Sequence, residues 1–272
     1  MFDLHSHSTC SDGSECPAAV VDIAAAKGLD LFALTDHDSV AGVPEALKRA
    51  QAVGLPMLSG AEMEASFYAT LHLLCIGMDI TDPGFAAMVA RQREFRLERN
   101  AKLEAKLDSL GMNISGLIDE ESDCVTRAHY ARALVLAGFA KDMNDAYDRI
   151  LGRSGMAYIQ QERLSPKQVI SAARDAGGIV VLAHPMQMHC AAAPMIRELA
   201  ELGIWGVEAH YYNATIGQTR QFTALARAND LFVTCGSDFH GEDRPAAVIG
   251  GCYIENDELK RTRDELNRRF DI

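Results

Sequence analysis

Short apolar runs alternate with segments of helical apolar spacing along most of the chain. The run GLDLFAL predicts a strand, VPEALKRAQAV predicts a helix, and GLPMLSGAEME predicts the next strand. The alternation returns with the helix SPKQVISAARDAGG and the strand IVVL, and it continues through PMIRELAELG, IWGVEA, TRQFTALARAND and LFVTCG. Strands that alternate with helices predict an α/β fold with a parallel sheet, and we expect this sheet to close into a barrel.

One long segment, residues 81–164, lacks the alternation. It begins with the helical pattern PGFAAMVARQREFRLERNAKLEAKLDSLG, and RAHYARALVLAGFA and DMNDAYDRIL predict two further helices. No strand-like run of comparable strength interrupts these patterns. We therefore expect a barrel core formed by residues 1–80 and 165–272, and a mainly helical insertion at 81–164 that contributes to the active site.

Composition and charge narrow the possible partners. The chain of 272 residues is 48% hydrophobic and 24% charged, which is typical of a globular protein. The formal net charge of -12 argues against the wrapping of duplex DNA, because that needs a basic face. A small anionic substrate remains compatible, since divalent cations can reverse the local sign of a pocket lined with carboxylates.

The sequence offers no candidate for a membrane span. The longest run without Asp, Glu, Lys or Arg, Ala176 to Ile196, contains Gly177-Gly178 and His184-Pro185, so it predicts a buried strand and its loop. Met1 leads directly into strand-like residues, and we expect no signal peptide. The seven cysteines are scattered and show no CxxC spacing. Reduced thiols and a cytoplasmic location are the expectation.

Polar side chains recur where the predicted strands end. They are His5, His7 and Asp12, then Asp36, His37 and Asp38, then Glu62, His184, Asp238 and His240. His5 and His7 share one face of an extended backbone, although alone they would also fit a polar N-terminal tail. The carboxyl ends of parallel strands form one rim in α/β folds. The pattern therefore predicts a centre of several metal ions with nitrogen and oxygen ligands.

The motifs at these positions resemble those of a known family. In order they are DLHSHSTCSDG, ALTDHDS, GAEME, HLLCIG, RAHYARAL, VLAHP and GSDFHG. They are similar to the successive motifs of PHP-domain (polymerase and histidinol phosphatase) metal-dependent phosphoesterases. The nearest branch comprises stand-alone phosphatases of AMP or 3′,5′-bisphosphonucleotides and related 5′–3′ exoribonucleases. The resemblance implies the PHP fold, a distorted (β/α)7 TIM-like barrel.

The resemblance also implies a ligand scheme for two or three divalent ions, Mn, Fe or Zn. His5, His7, Glu62 and Asp238 would bind one ion, His72 and His129 a second with Glu62 bridging, and Asp12, His37 and His240 a third. A hydroxide that bridges the metals would then be the nucleophile. By itself, His72 fits a partly buried strand residue and His129 a surface residue. Only the resemblance implies that these two are ligands.

Several residues are candidates for contacts to substrate. Arg127 is the candidate phosphate clamp, because a guanidinium matches phosphate oxygens with a fork of donors. His184 is expected either to contact phosphate and protonate the leaving oxygen or to be structural. Asp36 and Asp38 are expected to orient neighbouring groups.

The long predicted helix and a later loop carry further candidates. Arg96 and Arg99 share a helix face and could meet a second phosphate, although interleaved glutamates fit a salt-bridged solvent face. Tyr211 or Tyr212 could stack on a base. His189 and His210 lie near the expected pocket, and the sequence predicts no role for them.

The functional hypothesis is a phosphoesterase that hydrolyses a phosphomonoester of a nucleotide or the end of a short oligoribonucleotide. One alternative is a phosphatase of a non-nucleotide metabolite such as histidinol phosphate. Another is a non-catalytic metal-binding module, which the complete set of ligand positions disfavours. The chain departs from the family at Ala128, where proline is common, and in MQMH and HYYN near the expected pocket. These departures concern the expected substrate pocket, and the predicted metal ligands are unchanged.

Overall fold

The computed structural model describes residues 1–67, 70–118, 123–188 and 190–272, and these have an α/β architecture. Their strands are β1 (Phe2–Asp3), β2 (Leu31–Ala33), β3 (Met57–Leu58), β4 (Gly60–Ser66), β5 (Thr70–Ile76), β6 (Ile179–Leu182), β7 (Gly206–Tyr211) and β8 (Phe232–Gly236). Their α-helices are α1 (Pro17–Ala26), α2 (Val43–Val53), α3 (Pro83–Ser109), α4 (Arg127–Leu136), α5 (Met143–Ala146), α6 (Pro166–Asp175), α7 (Ala192–Leu202), α8 (Ile216–Ala228) and α9 (Asp257–Phe270). The α/β class predicted from the sequence is confirmed.

The strands form two sheets. One has the order β1-β2-β3 and is parallel, and the other has the order β4-β5-β6-β7-β8. In the second sheet β6, β7 and β8 are parallel, as predicted, but β5 is antiparallel to both β4 and β6, so the predicted parallel arrangement fails at β5. Only residues 67–69 separate β4 from β5, too few for the crossover that a parallel pair needs.

Isolated bridges link the two sheets. Ser6 pairs with Phe239 beyond the ends of β1 and β8, and His37 pairs with Glu62 between the loop after β2 and β4. The segment predicted as one strand, GLPMLSGAEME, is divided into β3 and β4 just before Gly60. A side chain at Gly60 would lie 2.4 Å from the carbonyl oxygen of Leu34, so this close approach requires glycine.

The main hydrophobic core lies between the strands and the helices that cover them. Leu73, Val181, Val207 and Val233 contribute side chains that are fully buried. Burial of one such side chain stabilises the fold by roughly 1.5–3 kcal/mol. Helix α6 begins at Ser165 with a reciprocal pair of hydrogen bonds between the side chains and backbone of Ser165 and Gln168, as the Ser-Pro start predicts.

Residues between β5 and α6 contribute a second hydrophobic cluster, which includes Leu103, Leu107, Tyr130, Leu134 and Ile150. All three helices predicted in this segment are present as α3, α4 and α5, and α5 continues into a π-helical turn. Of the helices in the described ranges, none combines the length and apolar character that a bilayer crossing needs.

Candidate metal centre

Histidines from several strand ends converge on the fully buried carboxylate of Glu62 on β4. Oε1 of Glu62 lies 2.8 Å from His72 Nδ1, 2.9 Å from His184 Nε2 and 3.3 Å from His5 Nε2. Oε2 lies 2.9 Å from His37 Nδ1 and 3.3 Å from His7 Nε2. Residues distant in sequence therefore meet at one carboxylate in the protein interior.

Asp238 and Asp12 extend this cluster on either side. Oδ1 of Asp238 is 3.1 Å from His7 Nε2 and 3.4 Å from His5 Nε2. Oδ1 of Asp12 is 3.2 Å from His240 Nε2 and 3.7 Å from His37 Nε2.

Three groups of candidate ligands result, and within each group the ligand atoms lie within 4.8 Å of one another. The first group is His5, His7, Glu62 and Asp238; the second is His7, Asp12, His37 and His240; the third is His37, Glu62 and His72. His7, His37 and Glu62 each belong to two groups, so the groups form one continuous centre.

Several potential ligand atoms of this centre are buried and have no hydrogen-bond partner in the described part of the chain. These are His5 Nε2, His7 Nε2, His37 Nδ1, His240 Nε2, Asp12 Oδ1 and Glu62 Oε2. Buried polar atoms are normally paired, because an unpaired one costs about 1–3 kcal/mol. Imidazole nitrogens and carboxylate oxygens in this arrangement fit divalent cations of the Mn, Fe or Zn type.

The electrostatics of the centre follow from burial and mutual proximity. Burial opposes the charged form of His37, but Glu62 and Asp12 outweigh it and raise the pKa of His37 to about 10. Burial also opposes the ionisation of Glu62, yet the surrounding imidazoles, with His37 foremost, hold the pKa of Glu62 well below its usual range. A proton on His37 therefore helps to balance the carboxylates, and a bound cation would displace that proton.

The backbone is strained next to this centre. Asp38, His184 and Asp238 have positive φ angles of 46°, 26° and 52°, a region that residues other than glycine rarely adopt. Such conformations persist only where the surrounding structure enforces them, and they concentrate at functional sites.

His129 lies on α4, outside the three groups. Its Nδ1 accepts a hydrogen bond of 3.0 Å from the backbone N–H of Thr126, at the start of the helix. The hydroxyl of Thr126 donates to Oδ2 of Asp12 at 2.9 Å. His129 is therefore connected to the centre through Thr126.

The predicted substrate residues on α3 and α4 lie at different depths. Arg96 pairs with Asp38 and, at 3.2 Å, with Glu64. Both Arg96 and Arg99 are buried, so the structure contradicts an exposed salt-bridged face for these two residues. Arg127 is half-buried, and its Nη2 donates to the carbonyl of Ile159 at 3.4 Å.

Arg99 is a buried guanidinium, and no carboxylate of the described residues forms an ion pair with it. It is 2% exposed, and its Nε and Nη1 have no hydrogen-bond partner among the described residues. Burial, with the charges of Arg96 and Arg127 nearby, lowers the pKa of Arg99 to about 9. A bound anion would compensate the buried positive charge of Arg99.

The two aspartates beside His37 organise their surroundings and belong to none of the three groups. Asp36 accepts hydrogen bonds from the backbone N–H of Ser8 and the hydroxyls of Ser8 and Ser11, at 2.6–2.7 Å. Asp38 accepts from the backbone N–H of Glu64 at 2.9 Å.

Two neighbours of the centre, Glu208 and Arg244, were not among the residues predicted from the sequence. Glu208 on β7 is fully buried against His5, and its only sequence signal is an acid near a strand end, as in GAEME. Arg244 pairs with Asp238 and lies 5.8 Å from the ring of the half-buried Tyr212.

Tyr211 is 4% exposed, which leaves Tyr212 as the more accessible ring for a base. His210 is outside the three groups, and His189 lies outside the described residues.

The chain is similar to known proteins over most of its length. The family model described as the PHP domain matches residues 3–193. A 3′,5′-nucleoside bisphosphate phosphatase of Chromobacterium violaceum is 32% identical over 92% of this chain and 90% of its own. A 5′-3′ exoribonuclease of Haemophilus influenzae is 32% identical over 88% and 89%. A solved structure of an amidohydrolase from Chromobacterium violaceum with bound sulfate and no metal has a TM-score of 0.89 and 31% identity, covering 98% of this chain and 96% of its own.

Proposed function

Because the chain belongs to the PHP domain family, we propose that it is a metal-dependent phosphoesterase with its metal centre at Glu62. The observation that carries this proposal is the convergence of buried, unpartnered nitrogen and oxygen atoms in three groups that share ligands. The groups would hold two or three divalent cations, and mixed imidazole and carboxylate ligands suit Mn, Fe or Zn. Glu62 would bridge, and His129 would complete the site that contains His72.

When bound, such cations polarise phosphoryl oxygens and lower the pKa of water, which supplies the nucleophile. His184 would protonate the leaving oxygen, and the position of its Nε2, 2.9 Å from Glu62 Oε1, supports this role. Asp36 and Asp38 hold the loops around the centre in position. The hydroxyl of Tyr211 keeps Asp238 oriented through a 2.6 Å hydrogen bond.

The proposed substrate is a phosphomonoester of a nucleotide, such as AMP or a 3′,5′-bisphosphonucleotide, or the end of a short oligoribonucleotide. The names of the phosphatase and exoribonuclease relatives support this class. Two nitrogens of Arg99, Nε and Nη1, have no hydrogen-bond partner among the described residues, and Arg96 and Arg127 are nearby, so this group suits a second phosphate while the first lies on the metals. Tyr212 is the proposed contact for a base.

The domain organisation that accompanies this proposal is a distorted (β/α)7 barrel with a helical insertion. The bridges Ser6–Phe239 and His37–Glu62 support closure of the two sheets into that barrel. Residues 81–164 would form the insertion, supported by their separate hydrophobic cluster. They would supply Arg96, Arg99, Arg127 and His129 to the site.

The experiment loads the purified chain with Mn²⁺ and measures phosphate release from AMP, 3′,5′-bisphosphoadenosine and histidinol phosphate, and release of phosphate or mononucleotide from a short 5′-phosphorylated RNA. We expect turnover of the nucleotide compounds. His7→Ala should abolish turnover and reduce bound Mn²⁺, whereas His210→Gln should preserve both, because His210 is outside the three groups. Turnover of histidinol phosphate alone would contradict the nucleotide substrate and indicate a phosphatase of a non-nucleotide metabolite. Full metal occupancy without turnover of any compound would indicate a non-catalytic module.

A further inference from the structure

Glu208 contacts two histidines of the centre at once. Its Oε1 and Oε2 lie 3.0 Å and 3.2 Å from His5 Nδ1, and Oε2 accepts the backbone N–H of His184 at 2.7 Å. We propose that Glu208 is a positioning residue that keeps the His5 proton on Nδ1 and holds His184 in place, so that both rings present Nε2 to Glu62. This inference rests on the proposed metal centre.

The contact with His5 determines which ring nitrogen is available as a ligand. Nε2 of His5 lies 3.3 Å from Glu62 Oε1 and 3.4 Å from Asp238 Oδ1, so this nitrogen faces the centre. An imidazole nitrogen binds a cation only through its lone pair. Oε2 of Glu208 accepts the backbone N–H of His184, so the carboxylate acts as an acceptor and keeps a proton on Nδ1 of His5, and the lone pair of Nε2 is then the one that a cation can use.

The contact with His184 stabilises an unusual backbone. The φ angle of 26° at His184 is costly for a residue with a side chain. In this conformation the ring of His184 stacks on that of His5, with centroids 5.5 Å apart. One carboxylate thus orients two imidazoles that approach the same oxygen of Glu62.

An irregularity in β7 brings Tyr211 to the same side of the strand as Glu208. Glu208 pairs with Thr234 and His210 with Cys235, so the strand has one extra residue between them. Such a bulge changes the direction of the side chains that follow it. Glu208 and Tyr211 consequently both contact the centre, where Tyr211 donates to Asp238, and His210 is outside it.

Gly236 on the neighbouring strand leaves the room that Glu208 needs. A side chain at this position would lie 2.2 Å from Glu208 Oε1 and 2.3 Å from His5 Cβ. The pair Glu208–His5 therefore depends on a strand residue without a side chain.

The test compares the wild type with Glu208→Gln. An amide carries no negative charge, and when its oxygen accepts from His184 N–H its NH₂ group lies where Oε1 faces His5 Nδ1 at 3.0 Å, so the contact that keeps the proton on Nδ1 is weakened. We expect Mn²⁺ affinity, measured by competition with a chromophoric chelator, to fall ~10–100-fold. Both proteins are also labelled with ¹⁵N-histidine and loaded with Zn²⁺. The His5 Nδ1–H signal that the wild type shows should be shifted or absent in Glu208→Gln.

Asp3→Asn is the control for a purely structural carboxylate. Asp3 is buried and accepts backbone N–H groups of His5, Ser237 and Gly250 at 3.2, 3.0 and 2.8 Å. Its loss should lower the melting temperature and leave the Mn²⁺ affinity of the folded protein within about twofold, because no imidazole proton depends on it. Glu208→Gln should change affinity by far more than any change in melting temperature explains.

Unchanged Mn²⁺ affinity together with an unchanged His5 Nδ1–H signal in Glu208→Gln would overturn the proposal, whatever its melting temperature. If the variant does not fold, the Zn²⁺-loaded wild type decides: His5 bound through Nδ1 would overturn the proposal, and His5 bound through Nε2 with a protonated Nδ1 would support it. A wild type that binds metal but hydrolyses no phosphoester would overturn only the proposed function. A wild type that binds neither Mn²⁺ nor Zn²⁺ would overturn both.

Discussion

The hydroxyl of Tyr211 donates a 2.6 Å hydrogen bond to Oδ2 of Asp238, while Oδ1 of the same carboxylate faces His7 Nε2 at 3.1 Å. Burial, reinforced by Asp238, raises the pKa of Tyr211 above its usual range, so the hydroxyl keeps its proton and remains a donor. The side chain that could have stacked on a base instead fixes a candidate ligand.

Removal of this hydroxyl tests its role. We expect Tyr211→Phe to lower kcat about tenfold with a smaller change in KM, because a hydrogen bond to a charged group contributes roughly 1.5–3 kcal/mol and Arg244 still holds the same oxygen. Steady-state kinetics with 3′,5′-bisphosphoadenosine give both constants. A matched Tyr212→Phe variant keeps the ring of Tyr212, and its kcat should stay near that of the wild type. Equal constants for Tyr211→Phe and the wild type would contradict this role.

Replacement of Arg99 by methionine should separate binding from stability. The free energy of unfolding should stay equal or increase, because the change removes a buried charge whose Nε and Nη1 have no hydrogen-bond partner among the described residues. KM should rise about tenfold for 3′,5′-bisphosphoadenosine, a loss of ~1.4 kcal/mol, and much less for AMP.

The control is Arg91→Met on the same helix, where Arg91 is exposed and pairs with Glu94. It should change neither KM. A destabilised Arg99→Met protein with the wild-type KM for both compounds would show that Arg99 is structural.

The stability of the metal-free protein should depend on His37. Its pKa is about 10 in the folded protein and ~6.5 in an unfolded chain. A pKa that is raised by folding contributes stability that is complete below the unfolded pKa and is lost as pH rises through the folded pKa. Chemical denaturation should therefore give a free energy of unfolding that decreases from pH 6.5 towards pH 10.

Two comparisons isolate the His37 contribution. His37→Gln should flatten the dependence, and saturating Mn²⁺ should remove it, because the neutral imidazole is the form that binds metal. If the free energy of unfolding of the metal-free wild type instead increases from pH 6.5 to pH 10, protonated His37 beside Glu62 does not stabilise the fold.

Gly236 provides a steric test of the same region. Gly236→Ala should destabilise the fold by ~1–3 kcal/mol, because the added Cβ would meet Glu208 and His5. Gly217→Ala is the control: Gly217 lies on α8, and its nearest neighbour would be 3.9 Å from the new Cβ. Thermal unfolding should show a lower melting temperature only for Gly236→Ala. A melting temperature of Gly236→Ala equal to that of the wild type would mean that Glu208 and His5 can move apart without cost.

Much of the fold could be predicted from local patterns. Helix α2 occupies the segment VPEALKRAQAV, and β6 occupies IVVL. The antiparallel placement of β5 could not be predicted in this way, because an apolar run does not specify the direction of its partner. The division between β3 and β4 depends on the approach of Gly60 to Leu34, which is a tertiary contact.

The candidate ligands that directly follow a strand could be predicted from the sequence, because the carboxyl ends of parallel strands meet at one edge of a sheet. The burial of Arg96 and Arg99 could not, because the neighbouring glutamates in sequence suggest solvent and only the packing of α3 shows otherwise. The shared side of Glu208 and Tyr211 escaped prediction because a bulge in β7 lies between them. Alternation of apolar and polar residues does not reveal one extra residue.

The three ligand groups, two of which contain Glu62, form the proposed catalytic metal centre. The most direct measurement is the content of bound Mn²⁺ and the release of phosphate from 3′,5′-bisphosphoadenosine by Glu62→Gln and by the wild type. Glutamine keeps the size of the side chain and removes the charge that five histidines approach. We expect Glu62→Gln to lose both bound Mn²⁺ and turnover. Wild-type metal content and turnover in Glu62→Gln would contradict it.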